Sequence, residues 1–254
     1  TLARHLDAVF GALPENAACA PPPAVEIAHL GRRELIDLDV PQATIRFGRP
    51  GIARRDPDFM AAMGTNHILG GGVFTARLFK EVREKRGLAY SVHSHLQTDD
   101  ASAFFVGATS TKNERAGESL GVIEDEIRKL ADEGPSEDEL DKAKKYLIGS
   151  YALRFDTSTK IAGQLTHLQL EGFGVDYLDA RNGLIAAITR DDAIRAGRRV
   201  FGDGKLLVAI AGRPNVGPST PMRSENGACR AISCAKRSAS PLSRADTISA
   251  ANRP

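Results

Sequence analysis

The sequence contains no run of about 18 apolar residues, so no segment is predicted to cross a membrane. It has only three cysteines, Cys19, Cys229 and Cys234, at spacings that fit neither a disulfide framework nor a zinc site. A strong net charge is also lacking. Residues 215–254 hold six of the 34 basic and two of the 32 acidic residues, so the rest of the chain is nearly neutral and nothing argues for nucleic acid.

Common catalytic motifs are missing as well. None of the six histidines lies in an HExxH or HxxEH pattern, and there is no GxSxG motif for a serine nucleophile. Three glycines at 70–72 precede a helix, where N–H groups could hold an anion, but no Lys-Ser/Thr follows as in a phosphate-binding loop. A flexible break between two helices is the favoured interpretation, with a small anion-binding module as the weaker alternative.

The histidines themselves give little sign of a metal site. His93 and His95 lie two apart on a predicted strand and point to the same face, but the sequence indicates no third ligand. A solvated or packed pair is therefore favoured. His67 and His167 are single histidines on predicted helices and are interpreted as structural. His167 can contact Glu171, four residues further along the same helix face.

Hydrophobic periodicity predicts the secondary structure. Alternation with period 2 indicates strands at 39–51, 88–97, 102–110 and 205–212, with a hairpin joining the second and third. Helical periodicity indicates helices at 2–14, 56–72, 75–87, 113–134, 135–155, 158–171, 176–187 and 189–201. Hairpins and single strands interrupted by groups of helices predict an α+β fold, with an antiparallel sheet and helices packed mainly on one face.

Several residues mark predicted helix ends. N-cap preferences predict helix starts at Asp56, with Pro57 in the first helical position, at the Ser136–Glu139 capping box, and at Thr189. Gly87 is predicted to follow the end of the helix at 75–87.

Composition divides the chain into three parts. Residues 1–24 form an apolar-faced helix and a Pro/Ala-rich linker, interpreted as the end of a preceding domain, and because the chain begins with Thr1 we expect a fragment of a longer protein. Residues 25–214 form the main domain. Residues 215–254 lose all periodicity and are predicted to be a disordered tail. As a hypothesis, their abrupt onset reflects a reading-frame change, which resequencing of the locus would detect.

The segment LFKEVREKRGLAYSV at 78–92 joins a charged helix end to a tyrosine on a strand. A tyrosine hydroxyl can donate a hydrogen bond to a developing oxyanion, and an arginine can hold a carbonyl or carboxylate group. On spacing alone, the favoured interpretation is a solvated Arg83 near a helix C-terminus and a half-buried core Tyr90.

The longer stretch NHILGGGVFTARLFKEVREKRGLAYSV (66–92) resembles the pitrilysin/insulinase family of zinc metallopeptidases, specifically the second of its two homologous domains. The likeness continues through PQATIRFGRPG, GPSEDELDKAKKYLIGSYALRFDTS and LLVAIAGRP, in family order. It covers roughly residues 25–214. The tail departs from the family, which usually ends soon after the last strand.

This resemblance implies a fragment of a zinc metalloendopeptidase that acts on peptides. In that family the first domain holds zinc, while the second faces the metal across a closed chamber and supplies an arginine and a tyrosine. The match places these at Arg83, which would bind the substrate backbone, and Tyr90, which would help stabilise the tetrahedral intermediate. Zinc would then be held outside this chain, by a missing N-terminal domain or a homologous zinc-binding subunit.

The resemblance leaves an alternative open. Some members of the family are heterodimers in which one subunit holds zinc and the other supplies the arginine–tyrosine pair. The alternative is therefore that this chain belongs to a zinc-free structural or assembly subunit without proteolytic activity, like the respiratory-chain core proteins of the family. Because related bacterial proteins are often exported, the resemblance also implies a periplasmic location.

Overall fold

The computed structural model describes residues 1–14, 20, 23–25, 27–214 and 220–221. The three cysteines, most of the predicted linker and nearly all of the predicted tail lie outside these residues, so the expectations for them stay predictions. Among the helices of the described residues, none has the length and apolar character that a membrane crossing requires.

A mixed sheet forms one layer of the fold. Its strands are β1 Arg33–Asp37, β2 Gln42–Pro50, β3 Ala89–Asp99, β4 Ser102–Lys112, β5 Leu207–Gly212 and β6 Thr220–Pro221. Their order across the sheet is β3-β4-β2-β5-β1-β6. The pairs β3–β4, β4–β2 and β2–β5 are antiparallel, while β1 runs parallel to β5 and to β6. All four predicted strands, including the hairpin, are confirmed.

Strand β1 was not predicted from the sequence. Its buried residue is the charged Glu34, whereas Ile36 is exposed, so the hydrophobic alternation that marks a strand is absent. The strand forms through parallel pairing with β5, which places Arg33 opposite Val208. The sheet is therefore antiparallel from β3 to β5 and parallel at the β1 edge.

Helices, other than the first along the chain, form the second layer. The helices are α1 Leu2–Phe10, α2 Phe59–Asn66, α3 Ala116–Glu133, α4 Glu137–Gly149, α5 Ser158–Leu170, α6 Tyr177–Ala186 and α7 Arg190–Phe201. Two π-helical segments, His67–Gly71 and Phe79–Glu84, and 3₁₀ turns at Val73–Thr75, Asn113–Arg115 and Ser150–Phe155 complete the helical structure. The predicted α+β fold is confirmed.

The core lies between the sheet and the helices. Along β2, Ile45 and Phe47 are buried against the helices. Their neighbours Thr44 and Arg46 are exposed on the opposite face of the sheet. Phe105 of β4 packs edge-on against Phe201 of α7, with ring centroids 5.1 Å apart. Apolar residues of α2, α3 and α7 fill the same cluster. The helices thus cover one face of the sheet, as predicted.

Helix α1 stands apart from this core. It is a helix, as predicted, but its apolar side chains Leu2, Leu6, Val9 and Phe10 are all exposed. The interpretation of residues 1–24 as the end of a preceding domain stays a prediction.

The expected start of the helix at Asp56 is wrong, because α2 begins at Phe59. The Asp58 N–H donates to the Asp56 carboxylate at 2.9 Å and closes a turn before the helix. Arg199 of α7 binds Asp56 at 2.7 Å and Arg195 binds Asp58 at 2.8 Å. Tertiary ion pairs with α7, rather than a local cap, therefore hold this segment.

The other helix-start signals are confirmed. In the Ser136–Glu139 capping box each residue's side chain satisfies the other's backbone N–H. Thr189 caps α7 in the same way, with Asp192 as its partner.

The glycine run serves close packing rather than a flexible break. Gly70 and Gly71 belong to the π-helical segment, and a Cβ on Gly70 would lie 2.7 Å from the Ser94 backbone nitrogen and would also collide with the Ser94 hydroxyl. The Gly72 N–H donates to the His67 carbonyl at 2.8 Å, so it is not available to an anion. Glycine at position 70 is required because the helical backbone approaches β3 directly.

This packing gives a stability prediction. Gly70→Ala should lower the free energy of unfolding by about 1–3 kcal/mol, because backbone atoms of β3 must move to accept the methyl group. Gly121→Ala is the matched control, since no atom lies within 4 Å of the added Cβ on α3. It should stabilise the protein by about 0.5–1 kcal/mol. Urea unfolding of both variants measures the difference, and equal effects at the two positions would contradict the packing role of Gly70.

Candidate functional site

A tight turn at Gly87 connects the π-helical segment to β3. Gly87 has φ +58°, in the left-handed region, and its N–H donates to the Arg83 carbonyl at 3.0 Å. The Leu88 N–H donates to the Val82 carbonyl at 2.8 Å, and both of these side chains are buried. The prediction that Gly87 ends the helix is confirmed, and the chain reverses within two residues.

The turn brings Arg83 and Tyr90 into contact. The guanidinium carbon of Arg83 lies 4.4 Å from the centroid of the Tyr90 ring and 4.9 Å from that of Phe79, so it is held between two aromatic faces. Tyr90 is 81% exposed, so its interpretation as a half-buried core residue is wrong. Arg83 is half-buried rather than fully solvated.

No ion pair uses Arg83 in the part of the chain that the structure describes. Glu81, on the same helical segment, is bound instead by Lys85 at 2.6 Å and by Arg86 at 2.5 Å. The guanidinium N–H groups of Arg83 therefore stay free of carboxylate partners here, while its stacking on Phe79 and Tyr90 limits its rotamers.

An apolar loop that the sequence analysis did not single out borders this pair. Val73 and Phe74 are 56% and 67% exposed, and Phe74 packs edge-on against Phe79 with ring centroids 5.2 Å apart. Val73 has φ +44°, which is strained for a β-branched residue, and such strain is concentrated at functional sites. The sequence feature that could have indicated this loop is the position of two large apolar residues directly after three glycines.

The helical segment that carries Arg83 is fastened at its beginning by Arg77. Two guanidinium nitrogens of Arg77 bind the two carboxylate oxygens of Glu139, each at 2.7 Å, and the Gly134 carbonyl accepts a further bond at 3.3 Å. The hydrogen bonds from Arg77 lower the pKa of Glu139 to about 2, against the opposing effect of burial. Glu139 also caps α4, so one carboxylate joins the site's helix to the start of α4.

The other histidine candidates do not join this site. His93 and His95 stack with ring centroids 6.2 Å apart on the sheet face away from the core. Burial, His93 and Arg46 together lower the pKa of His95. No set of three or more His, Cys, Asp or Glu residues suited to a metal ion occurs within the described ranges. The interpretation of His93 and His95 as a solvated or packed pair agrees with this arrangement, in which both are exposed and stacked.

His67 and His167 lie elsewhere. His67 stacks on Tyr146 with centroids 4.9 Å apart, and burial lowers the pKa of its imidazole. The Nε2 atom of His167 lies 3.4 Å from Glu171, the contact predicted from their spacing, and Glu171 also accepts from Arg54 at 2.9 Å. Both histidines occur in structural contacts, as predicted.

The chemistry available at the Arg83–Tyr90 pair is hydrogen-bond donation to oxygen. An exposed phenol and a stacked guanidinium can both donate to a carbonyl or a carboxylate, and donation strengthens as negative charge develops on that oxygen. In the described residues, no ligand set for a metal accompanies the pair. The pair is therefore suited to binding and charge stabilisation, with the reacting nucleophile supplied from elsewhere.

Comparison with known proteins identifies relatives of this chain. The family model described as "Peptidase M16 inactive domain" matches residues 3–147, more than half of the chain. An uncharacterized zinc protease of Streptomyces coelicolor is 35% identical over 183 residues, which cover 71% of this chain and 39% of that protein. The "non-peptidase homolog YmxG" of Helicobacter pylori is 30% identical over 155 residues, covering 61% of this chain and 35% of that protein.

A solved structure shows the same fold. The peptidase M16 inactive domain from Pseudomonas fluorescens superposes with a TM-score of 0.71 at 30% sequence identity, covering 85% of this chain and 50% of that chain. This chain thus spans well under half of the length of both curated relatives and half of that structure.

The Arg77–Glu139 contact predicts an acid-dependent loss of stability. Because the pKa of Glu139 is about 2 in the folded protein against an ordinary 4.5, its charge stabilises the fold above pH 4.5, and this contribution is lost as pH falls toward 2. Glu139→Gln should lower the free energy of unfolding by about 1–3 kcal/mol at pH 7, and the difference from the unmodified protein should shrink below pH 4.5. Denaturant unfolding at several pH values measures it.

Asp125→Asn is the control, because the Asp125–Arg128 pair is 61% and 54% exposed. Its effect should stay below about 0.5 kcal/mol at every pH. A Glu139→Gln difference that is unchanged between pH 7 and pH 3 would contradict the assignment.

Proposed function

The chain belongs to the peptidase M16 inactive-domain family, which confirms the resemblance seen in its sequence, and from this membership we propose that it is the non-metal part of a zinc metalloendopeptidase. In this proposal the chain binds peptides and stabilises the charge that develops during hydrolysis. Its described residues do not fit a zinc ion, since no group of suitable ligands occurs among them. The metal is held by another domain or by a homologous subunit.

The contact between Arg83 and Tyr90 carries the proposal. The ring of Tyr90 rests on a guanidinium while most of the side chain is exposed, so its hydroxyl is presented in a limited range of positions. A peptide carbonyl that accepts a hydrogen bond from Arg83 lies within reach of that hydroxyl. As the carbonyl carbon becomes tetrahedral, its oxygen gains negative charge, and a donor fixed in advance stabilises this state more than the starting peptide.

The bordering apolar loop supports a peptide as the ligand. Val73 and Phe74 expose apolar surface, and the buried Phe79 ring contacts both Phe74 and Arg83, so this surface lies next to the arginine–tyrosine pair. A surface with hydrogen-bond donors beside exposed aromatic groups suits a chain of amides bearing apolar side chains.

A zinc-free structural or assembly subunit is the second candidate function. The observation that favours it is the 30% identity to a relative that is itself named a non-peptidase homolog. The sequences of the full-length gene and of the adjacent genes discriminate between the peptidase and the structural subunit. An HxxEH motif encoded in either place, together with stoichiometric zinc in the purified assembly, supports the peptidase, whereas the absence of both supports the structural subunit.

The role of Tyr90 predicts a selective loss of kcat. In the complete assembly with its zinc-holding domain or subunit, Tyr90→Phe should lower kcat for a peptide substrate about a hundredfold and leave KM nearly unchanged, because the lost hydrogen bond acts mainly on the transition state. Steady-state cleavage of a fluorogenic peptide measures both constants. A kcat within about twofold of the unmodified enzyme would exclude the proposed role.

The role of Arg83 predicts weaker substrate binding. Arg83→Gln should raise KM about tenfold, because the guanidinium contacts the peptide before and during reaction. Arg128→Gln is the matched control, since Arg128 is an exposed arginine on α3 whose one ion pair among the described residues is with Asp125. The control should leave kcat and KM unchanged, and equal effects of the two substitutions would argue against a binding role for Arg83.

A further inference from the structure

A cavity of about 750 Å³ lies at the opposite end of β3 from Tyr90. It is bordered by the end of α2 and its π-helical continuation, the end of β3, the end of α4, the 3₁₀ turn Ser150–Phe155, and helices α5 and α6. Neither Arg83 nor Tyr90 lines it. Three arginines do: Arg54, Arg154 and Arg181.

Arg181 is the unusual member of this cavity. It is only 7% exposed, and its Nη1 atom donates to two neutral acceptors, the Leu147 carbonyl at 3.2 Å and the Asn182 side chain at 3.1 Å. Its guanidinium lies 3.9 Å from the centroid of the Tyr151 ring. Within the described chain it has no carboxylate partner, although buried charges are ordinarily paired.

The surrounding groups leave this positive charge uncompensated. Glu171 is the carboxylate in the cavity lining, and it is already bound to Arg54 at 2.9 Å and close to His167. Arg154 lies exposed at the rim and forms no ion pair with a described residue. Burial, together with the nearby cations Arg154 and Arg54, lowers the pKa of Arg181. Among the described residues that line the cavity, three arginines therefore stand against one carboxylate.

We propose that this cavity is a binding site for a small organic or inorganic anion, whose carboxylate or phosphate group is held by Arg181 and Arg154. The planar guanidinium presents paired N–H donors that match both groups. A bound anion stabilises a buried arginine of this kind, because its charge and hydrogen bonds replace the hydration that the guanidinium lost on burial. The volume admits a ligand larger than a single phosphate, and the Tyr151 and Tyr177 rings provide apolar walls for its body.

Calorimetric titration of the 254-residue chain with two probes tests the proposal. Inorganic phosphate and succinate are titrated separately at constant ionic strength, set with sodium chloride. At least one probe should bind saturably with a stoichiometry of one. Saturation by phosphate alone identifies a phosphate site, saturation by succinate alone identifies a carboxylate site, and saturation by both identifies a general anion site. Saturable binding of neither probe overturns the proposal.

Substitutions locate the binding. Arg181→Gln should weaken the affinity by about tenfold, and Arg154→Gln by about threefold to tenfold, as expected for loss of a charge-assisted hydrogen bond. Because Arg154 is exposed, its substitution leaves the core intact. Arg154→Gln therefore tests whether the anion binds in this cavity even where Arg181→Gln unfolds the protein. Arg198→Gln is the matched control, an exposed arginine on α7 outside the cavity. Unchanged affinity in Arg154→Gln, or an equal loss in Arg198→Gln, overturns the assignment.

Discussion

The left-handed turn at Gly87 is the constraint on which the candidate site depends. The π-helical segment ends at Glu84 and β3 begins at Ala89, so only four residues, including Gly87, separate them, and the last helical turn and the first strand residues lie side by side. The buried Leu88 N–H bond to Val82 fixes the angle of that reversal. Arg83 and Tyr90 are seven positions apart in sequence, and this geometry turns that separation into direct stacking.

The rest of the fold holds that turn in place from two sides. Arg77 and Glu139 join the helical segment to the start of α4, and Gly70 lets the preceding π-helical segment pack on the backbone of β3. A site mounted on packed helices and a strand keeps its donors more closely positioned than one on a free loop. The exposed parts, Tyr90 and Phe74, are then left facing outward from a rigid base.

The sequence predicts the parts of this structure that are governed by local chemistry. Alternating apolar residues located β2, and the Gly87 signal located the end of the helix, because each depends on neighbouring residues alone. It could not reveal β1, whose buried residue is Glu34 and whose pairing comes from β5. Nor could it reveal the exposure of Tyr90 or the burial of Arg181 without a carboxylate partner among the described residues, which both depend on tertiary packing. Arg83 and Tyr90 were identified through family resemblance, since their spacing alone favoured ordinary surface and core roles.

The central claim is that Tyr90 donates to the oxygen that becomes negatively charged during peptide hydrolysis. The most direct test is a crystal structure of the complete zinc-holding assembly bound to a peptide phosphinate, whose tetrahedral oxygens imitate that state. The account predicts the Tyr90 hydroxyl within about 2.5–3.0 Å of a phosphinyl oxygen, with Arg83 bound to the peptide backbone. A Tyr90 hydroxyl more than about 5 Å from every oxygen of a well-ordered ligand would contradict it.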